Sequence, residues 1–219
     1  MSFQLKVEDI KSIIGQLAHT FNQQKDHLNE LDSKIGDGDH GLSMSRGFNA
    51  INRYINNHPD LSISDILIQG GMQFNEVTGS TIGILIFSAM RASGLIVKDK
   101  ATIHFKDLQN ILEVSIEAIK KRGKAQRGQK TILDTLIPTL EYLNNQNTDS
   151  ETEIIKKTIN VAYQSAETTK DLEPQIGRSK WFKERSIGVI DPGAYTGYLI
   201  IKTVGDYILE NNMRQDKQF

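Results

Sequence analysis

The chain has no cysteine. That excludes disulfides, iron–sulfur clusters and thiolate zinc sites, and makes a reducing, cytoplasmic setting the simplest expectation. It also lacks an excess of either charge: 26 lysines and arginines stand against 27 aspartates and glutamates. Neither nucleic acid nor an anionic membrane surface is therefore an expected partner. Long hydrophobic runs are missing. The most apolar stretch, Ile82 to Met90, is too short to span a bilayer, and residues 1–20 hold no signal-peptide core. Period-2 alternation is nearly absent, and only short pieces such as Leu95-Ile96-Val97 qualify as strands.

What is present is helical periodicity. Val7, Ile10, Ile13, Ile14, Leu17 and Phe21 share one face of a first helix. Met44, Phe48, Ile51 and Ile55 mark a second, starting near Ser43, and a third begins at Leu61 to Asp65. Thr81 to Ala92 is apolar nearly all round, which predicts the most buried helix of the fold. Further helices are expected through Leu108–Ile119, Thr131–Leu143 and Ile154–Ala166, the second of these kinked at Pro138. A last one opens at Asp191-Pro192-Gly193, where Asp can cap and Pro suits the first helical position. Asn144 to Glu153 reads as an exposed polar loop. The expectation is one all-α domain over residues 1–219, a barrel or bundle of about eight antiparallel helices.

One turn concentrates chemistry. In LDSKIGDGDHGLSMSRGF, Leu31 to Phe48, an extended backbone would project Asp37 and Asp39 to the same side. Asp32, at the end of the first helix, can join them if Gly36 and Gly38 permit a tight reversal. Three converging carboxylates require a cation, and hard oxygen ligands select Mg²⁺ or Ca²⁺ over zinc. An EF-hand loop does not fit: counted from Asp37, its fifth position is Gly41 and its twelfth is Phe48. Room for waters and substrate phosphates favours Mg²⁺. A solvated acidic turn is the plainer alternative on spacing alone.

Three weaker constellations accompany it. Lys120 to Thr131, KKRGKAQRGQKT, is a basic run. Lys120 and Lys121 suit the negative end of a helix, and the glycines open a loop whose amides can face phosphate. It is not a Walker A motif, because Gln129 stands where that motif needs Lys and no strand precedes it. Thr78 to Gly83, TGSTIG, sets hydroxyls and glycines at a helix N-terminus, a natural anion site as well as an ordinary cap. Gly177 to Ala194, GRSKWFKERSIGVIDPGA, offers Arg178 and Arg185 to phosphate, with Trp181 read as a core anchor.

Taken in order, these segments resemble the L subunit of dihydroxyacetone kinase and the homologous domain of single-chain dihydroxyacetone kinases. LDSKIGDGDHGLSMSRGF, RGKAQRGQKTILD and GRSKWFKERSIGVIDPGA carry the resemblance, which covers nearly the whole chain. It implies a barrel of eight antiparallel helices with ADP or ATP at one end, bound through two Mg²⁺ ions. By resemblance Asp32, Asp37 and Asp39 are the metal ligands. His40, Gly41, Leu42 and Ser43 would line the phosphate side, and Ser80 and Thr81 would contact phosphate. Gly123 and Ile132 would bound the adenine end, with Arg178, Asp191, Pro192 and Gly193 completing the pocket. The family's reaction passes a phosphoryl group to dihydroxyacetone held on a separate K subunit. In its bacterial form a phosphohistidine-carrying M subunit recharges the bound ADP, and the length of this chain favours that form. A homodimer is the expected assembly. The chain departs from the family pattern at Ser43, Ile82, Gln129 and Ile132. These departures leave as alternatives an ATP-dependent kinase subunit, a paralogue acting on another small polyol or ketose, and a non-catalytic nucleotide-bound regulatory subunit. A metallophosphatase is a further reading of GDGDHG, but His19, His27, His58 and His104 sit in no supporting motif.

Overall fold

The computed structural model describes residues 4–146, 150–177 and 179–216, with side chains described as far as Asn211. Its helices are α1 (Val7–Gln23), α2 (Lys25–Ile35), α3 (His40–Asn57), α4 (Ile63–Thr78), α5 (Thr81–Ile96), α6 (Phe105–Gly123), α7 (Leu133–Asn144), α8 (Glu151–Thr168), α9 (Lys183–Ser186) and α10 (Pro192–Asp216). Local chemistry sets several boundaries. Ser62 caps α4 by accepting from the Asp65 amide at 3.1 Å, while the Asp65 carboxylate reaches back to the Ser62 amide at 3.3 Å, a reciprocal capping box. Gly79 ends α4 in the left-handed conformation, φ 54°, which glycine adopts without steric penalty. The Ser80 hydroxyl then caps α5, accepting from the Gly83 amide at 3.3 Å. Asp191 opens α10 as expected, its Oδ1 accepting from the Ala194 amide at 2.7 Å. α7 continues on both sides of Pro138.

The sequence reading differs from the structure in four places. The first helix breaks at Gln24, and α2 continues it toward the acidic turn. Polar residues from Asn22 to Asp26 interrupt the apolar period there, and Leu28, Leu31 and Ile35 resume it. α3 begins at His40 rather than near Ser43. Leu95 and Ile96 are the end of α5, not a strand. The described strands are instead β1 (Gln4–Leu5) and β2 (Ile103–His104), paired antiparallel with Leu5 opposite Ile103. Finally, α5 is not the most buried helix. Many of its apolar side chains face cavities, and Leu95 and Ile96 are exposed. The expected loop at 144–153 falls partly outside the described residues.

The helices close into a ring. α1 and α2 together flank α3, followed by α4, α5, α6, α7, α8 and α10, which returns to α1. Inside it Phe21 stacks on Phe48 with centroids 4.8 Å apart, and Phe48 meets the edge of Phe74 at 5.3 Å. The ring also encloses an apolar cavity of about 280 Å³, lined by residues such as Ile13, Ile63, Ile86, Met90, Leu112 and Ile208. Leu5 and Ile103 of the strand pair, and Phe105, line it at the end where α1 and α6 begin. Among the described residues no helix is long and apolar enough to cross a membrane.

Candidate functional site

Because ring neighbours run antiparallel, alternate helices start at the same end. The first residues of α3, α5 and α10, and the lead-in to α7, meet the C-terminus of α2 around a pocket of about 340 Å³. Each of these N-termini turns the positive end of a helix dipole toward the pocket, so the chain's path favours an anion at this mouth.

The acidic turn forms one wall. The Gly36 amide donates to the Asp32 carbonyl at 2.6 Å, closing α2. Asp32 Oδ2 then accepts three backbone amides, from Gly38 at 2.9 Å, Asp39 at 3.0 Å and His40 at 3.3 Å. Gly38 makes the reversal possible with φ 78°. The turn is thus not the extended segment expected from i, i+2 spacing: it wraps around the Asp32 carboxylate. The result is nevertheless convergence. Asp32, Asp37 and Asp39 each offer an oxygen, and the three oxygens lie within 4.8 Å of one another. Asp32 is half-buried while Asp37 and Asp39 are exposed at the pocket. Three carboxylate oxygens with open space beside them fit a hard divalent cation that keeps sites for water or phosphate.

The close approach behind this turn depends on Gly41. A Cβ there would overlap the Lys25 carbonyl oxygen and crowd Asn29. Asn29 Oδ1 in turn accepts from the Leu42 amide at 3.1 Å. Gly41→Ala is expected to destabilise the chain by about 1–3 kcal/mol, as overpacking against backbone does, and to weaken divalent-cation binding. Urea midpoints and a cation titration check both effects.

The same pocket is lined by Ser80 and Thr81 at the start of α5, and by Asp191, Pro192 and Gly193 at the start of α10. Gly193 lets α10 approach α7's lead-in, since a Cβ would lie 2.9 Å from Asp191 Oδ1 and 3.3 Å from the Ile132 amide. His40 Nε2 lies 2.8 Å from Thr196 Oγ1. Desolvation holds its pKa down at about 4, so the imidazole is neutral at neutral pH. Burial pushes the Asp191 carboxyl up to about 7, with Asp134 and Asp32 adding repulsion and the Ala194 amide and Lys130 opposing it. Ile82, Leu85, Ile132 and Ile176 give the remaining wall an apolar side.

Of the residues expected at the site, Asp32, Asp37, Asp39, His40, Ser43, Ser80, Thr81, Ile132, Asp191, Pro192 and Gly193 line this pocket. Gly41, Leu42 and Gly123 do not line it. Gly41 faces α2, the Leu42 amide is taken by Asn29, and Gly123 packs against Leu85. Arg178 lies outside the described residues. The glycine loop after α6 does not turn its amides to the pocket as expected. The Gly128 amide donates to Asp134 Oδ1, the Thr131 amide to Asp134 Oδ2 at 2.7 Å, and the Gln126 amide to Gln129 Oε1 at 2.8 Å. Arg127 is paired with Glu141 at 2.8 Å. Trp181 is 77% exposed rather than a core anchor, with Lys180 Nζ 4.7 Å from its ring centre, because it rides on a short turn without buried residues. Arg185 lies over Phe182, away from the pocket lining. Thr78, Lys130, Thr131 and Ser179 also line the pocket; the sequence reading flagged the segments that hold them but assigned none of the four to the site. Lys130 was hidden in a basic run that otherwise looks solvated.

Residues 34–206 match the family model of the DAK2 domain. The chain is 33% identical to PEP-dependent dihydroxyacetone kinase 1, ADP-binding subunit DhaL, of Listeria innocua serovar 6a, over 85% of this chain and 89% of that one. It is 29% identical to the PEP-dependent dihydroxyacetone kinase ADP-binding subunit DhaL of Escherichia coli K12, over 80% of this chain and 84% of that one. Its fold is similar to the crystal structure of the dihydroxyacetone kinase from C. freundii in complex with AMP-PNP and Mg²⁺, with a TM-score of 0.71 at 22% identity. That likeness covers 94% of this chain and 35% of the kinase, so the chain spans about a third of its length.

Proposed function

We propose that this chain, which belongs to the DAK2-domain family and to its DhaL branch, is the nucleotide-binding subunit of a dihydroxyacetone phosphotransferase. In this reading it binds ADP or ATP through Mg²⁺ and passes a phosphoryl group to dihydroxyacetone held on a separate K subunit. A phosphohistidine-carrying M subunit recharges the bound ADP. The observation that carries the reading is the convergence of Asp32, Asp37 and Asp39 at the pocket where α3, α5 and α10 begin. The names of relatives that match over most of both chains, PEP-dependent ADP-binding subunits, support the M-dependent form.

Asp32, Asp37 and Asp39 would hold the Mg²⁺, whose charge when bound lets a polyphosphate sit beside three carboxylates. The chain's own groups supply the rest. The Ser80 and Thr81 hydroxyls and the first amides of α5 face the anion, and the α3 and α10 N-termini add their dipoles. Neutral His40 does not repel a cation and is fixed by Thr196. Ile82, Leu85, Ile132 and Ile176 offer an apolar, water-excluding flank to a base. Such a site works by positioning and charge stabilisation, as phosphoryl transfer requires.

The test is reconstitution. The purified chain is denatured to identify any nucleotide it carries. It is then mixed with a K subunit, dihydroxyacetone, and either phosphorylated M subunit or ATP. ADP is expected in the purified chain, and dihydroxyacetone phosphate is expected with phosphorylated M but not with ATP alone. Turnover on ATP alone would replace the M-dependent form by a direct kinase. No transfer from either donor would refute the function.

A further inference from the structure

Lys130 is 2% exposed, and its backbone is left-handed with φ 60°, a conformation L-residues rarely adopt. Its Nζ lies 2.7 Å from the Thr169 carbonyl oxygen, 2.9 Å from Ser186, 2.9 Å from Val189 and 3.1 Å from Leu172. An ammonium has three hydrogens and no acceptor, so four carbonyl dipoles share one cation. Burial lowers the pKa of the amine, while the Asp191 and Asp171 carboxylates raise it. An apolar side chain of equal length would fill the space but leave buried carbonyls without donors.

The four carbonyls come from two stretches of chain. Thr169 and Leu172 follow α8; Ser186 and Val189 precede α10. Between them the chain makes an excursion from the barrel. It contributes Ile176, Gly177 and Ser179 to the pocket and carries Trp181 outward. Two further bonds join the same stretches: the Gly188 amide donates to the Lys170 carbonyl at 2.9 Å, and the Asp191 amide to Thr169 Oγ1 at 2.9 Å. The neck of this excursion therefore sits directly before Asp191, Pro192 and Gly193.

We propose that Lys130 is a positioning residue whose ammonium acts as a built-in monovalent cation, tying the two sides of the neck and so fixing the wall made by Ile176, Gly177 and Ser179 and the start of α10. The consequence for nucleotide binding rests on the function proposed above; the clip itself does not. Loss of the charge loosens the neck and removes one side of the pocket while leaving the acidic turn in place.

Lys130→Met removes the charge and keeps an unbranched side chain one atom shorter. Amide exchange over residues 186–191 is expected to accelerate tenfold or more, with α3 to α5 unchanged, and Mg²⁺·ADP affinity is expected to fall at least tenfold. Lys130→Ala leaves room for n-propylammonium, which restores slow exchange and affinity where n-propanol does not. Wild-type exchange in Lys130→Met would overturn the proposal, as would an affinity loss without faster exchange, or equal rescue by the alcohol. If Lys130→Met fails to fold, recovery of folded Lys130→Ala by the amine and not the alcohol supports the clip, and no recovery rejects it. If the wild-type chain itself does not bind Mg²⁺·ADP, the proposed function fails, while exchange and amine rescue still decide the role of Lys130.

Discussion

Asp37→Ala is expected to lower Mg²⁺-dependent ADP affinity by more than about 100-fold, beyond the effect usual for residues that only orient a metal ligand. Removing one carboxylate leaves the cation with fewer hard ligands and the polyphosphate with less compensated charge. The fold should survive. Asp37 is exposed at the pocket, so the metal-free variant should stay folded and lose less melting temperature than Asp32→Ala. Asp32→Ala should behave differently. Its Oδ2 accepts the amides of Gly38, Asp39 and His40, and leaving these donors unpaired costs about 1–3 kcal/mol in addition to the metal. ADP titrations in excess Mg²⁺ and in EDTA, paired with thermal melts, separate the two variants. Unchanged Mg²⁺-dependent affinity in Asp37→Ala would remove that residue from the metal site.

Asp191→Asn is expected to stabilise the metal-free chain at alkaline pH. In the folded chain desolvation holds the Asp191 pKa at about 7, against an ordinary value of 3.8. The native state therefore keeps its proton where the unfolded chain has released it. The raised pKa favours folding fully below about pH 4, and this contribution is lost as pH rises through about 7. Above that the folded chain carries a buried carboxylate facing Asp134 and Asp32. Asparagine has no charge to bury, and its side-chain oxygen can still accept from the Ala194 amide. Relative to wild type, the variant should gain up to about 4 kcal/mol above pH 7 and nothing below about pH 4. Urea unfolding in EDTA across that range checks the sign. A difference independent of pH would show that Asp191 does not bury its charge.

The division between what was legible in the sequence and what was not has a physical basis. Helices with an uninterrupted apolar period, such as α1 and α6, were readable because one face alone decides burial. α2 was missed because its period restarts after the polar stretch at Gln24, with only Leu28, Leu31 and Ile35 buried. The acidic turn was readable since its ligands lie within eight residues of one another. The way Asp32 gathers three amides was not, for it depends on the turn wrapping back onto α2. Lys130 was beyond reach: the carbonyls around it come from Thr169, Leu172, Ser186 and Val189, and no local pattern records a contact over that separation. Trp181 was misread as a core residue because its size suggests burial, whereas exposure is set by the excursion it rides on.

The central claim is that Asp32, Asp37 and Asp39 grip the metal of a bound adenine nucleotide at this end of the barrel. Anomalous diffraction from crystals grown with Mn²⁺ and ADP tests it most directly. The account predicts a manganese peak at roughly 2.0–2.2 Å from an oxygen of each of the three carboxylates, with the diphosphate between it and Ser80 and Thr81. A nucleotide bound elsewhere, or bound here with no metal against these oxygens, would contradict it.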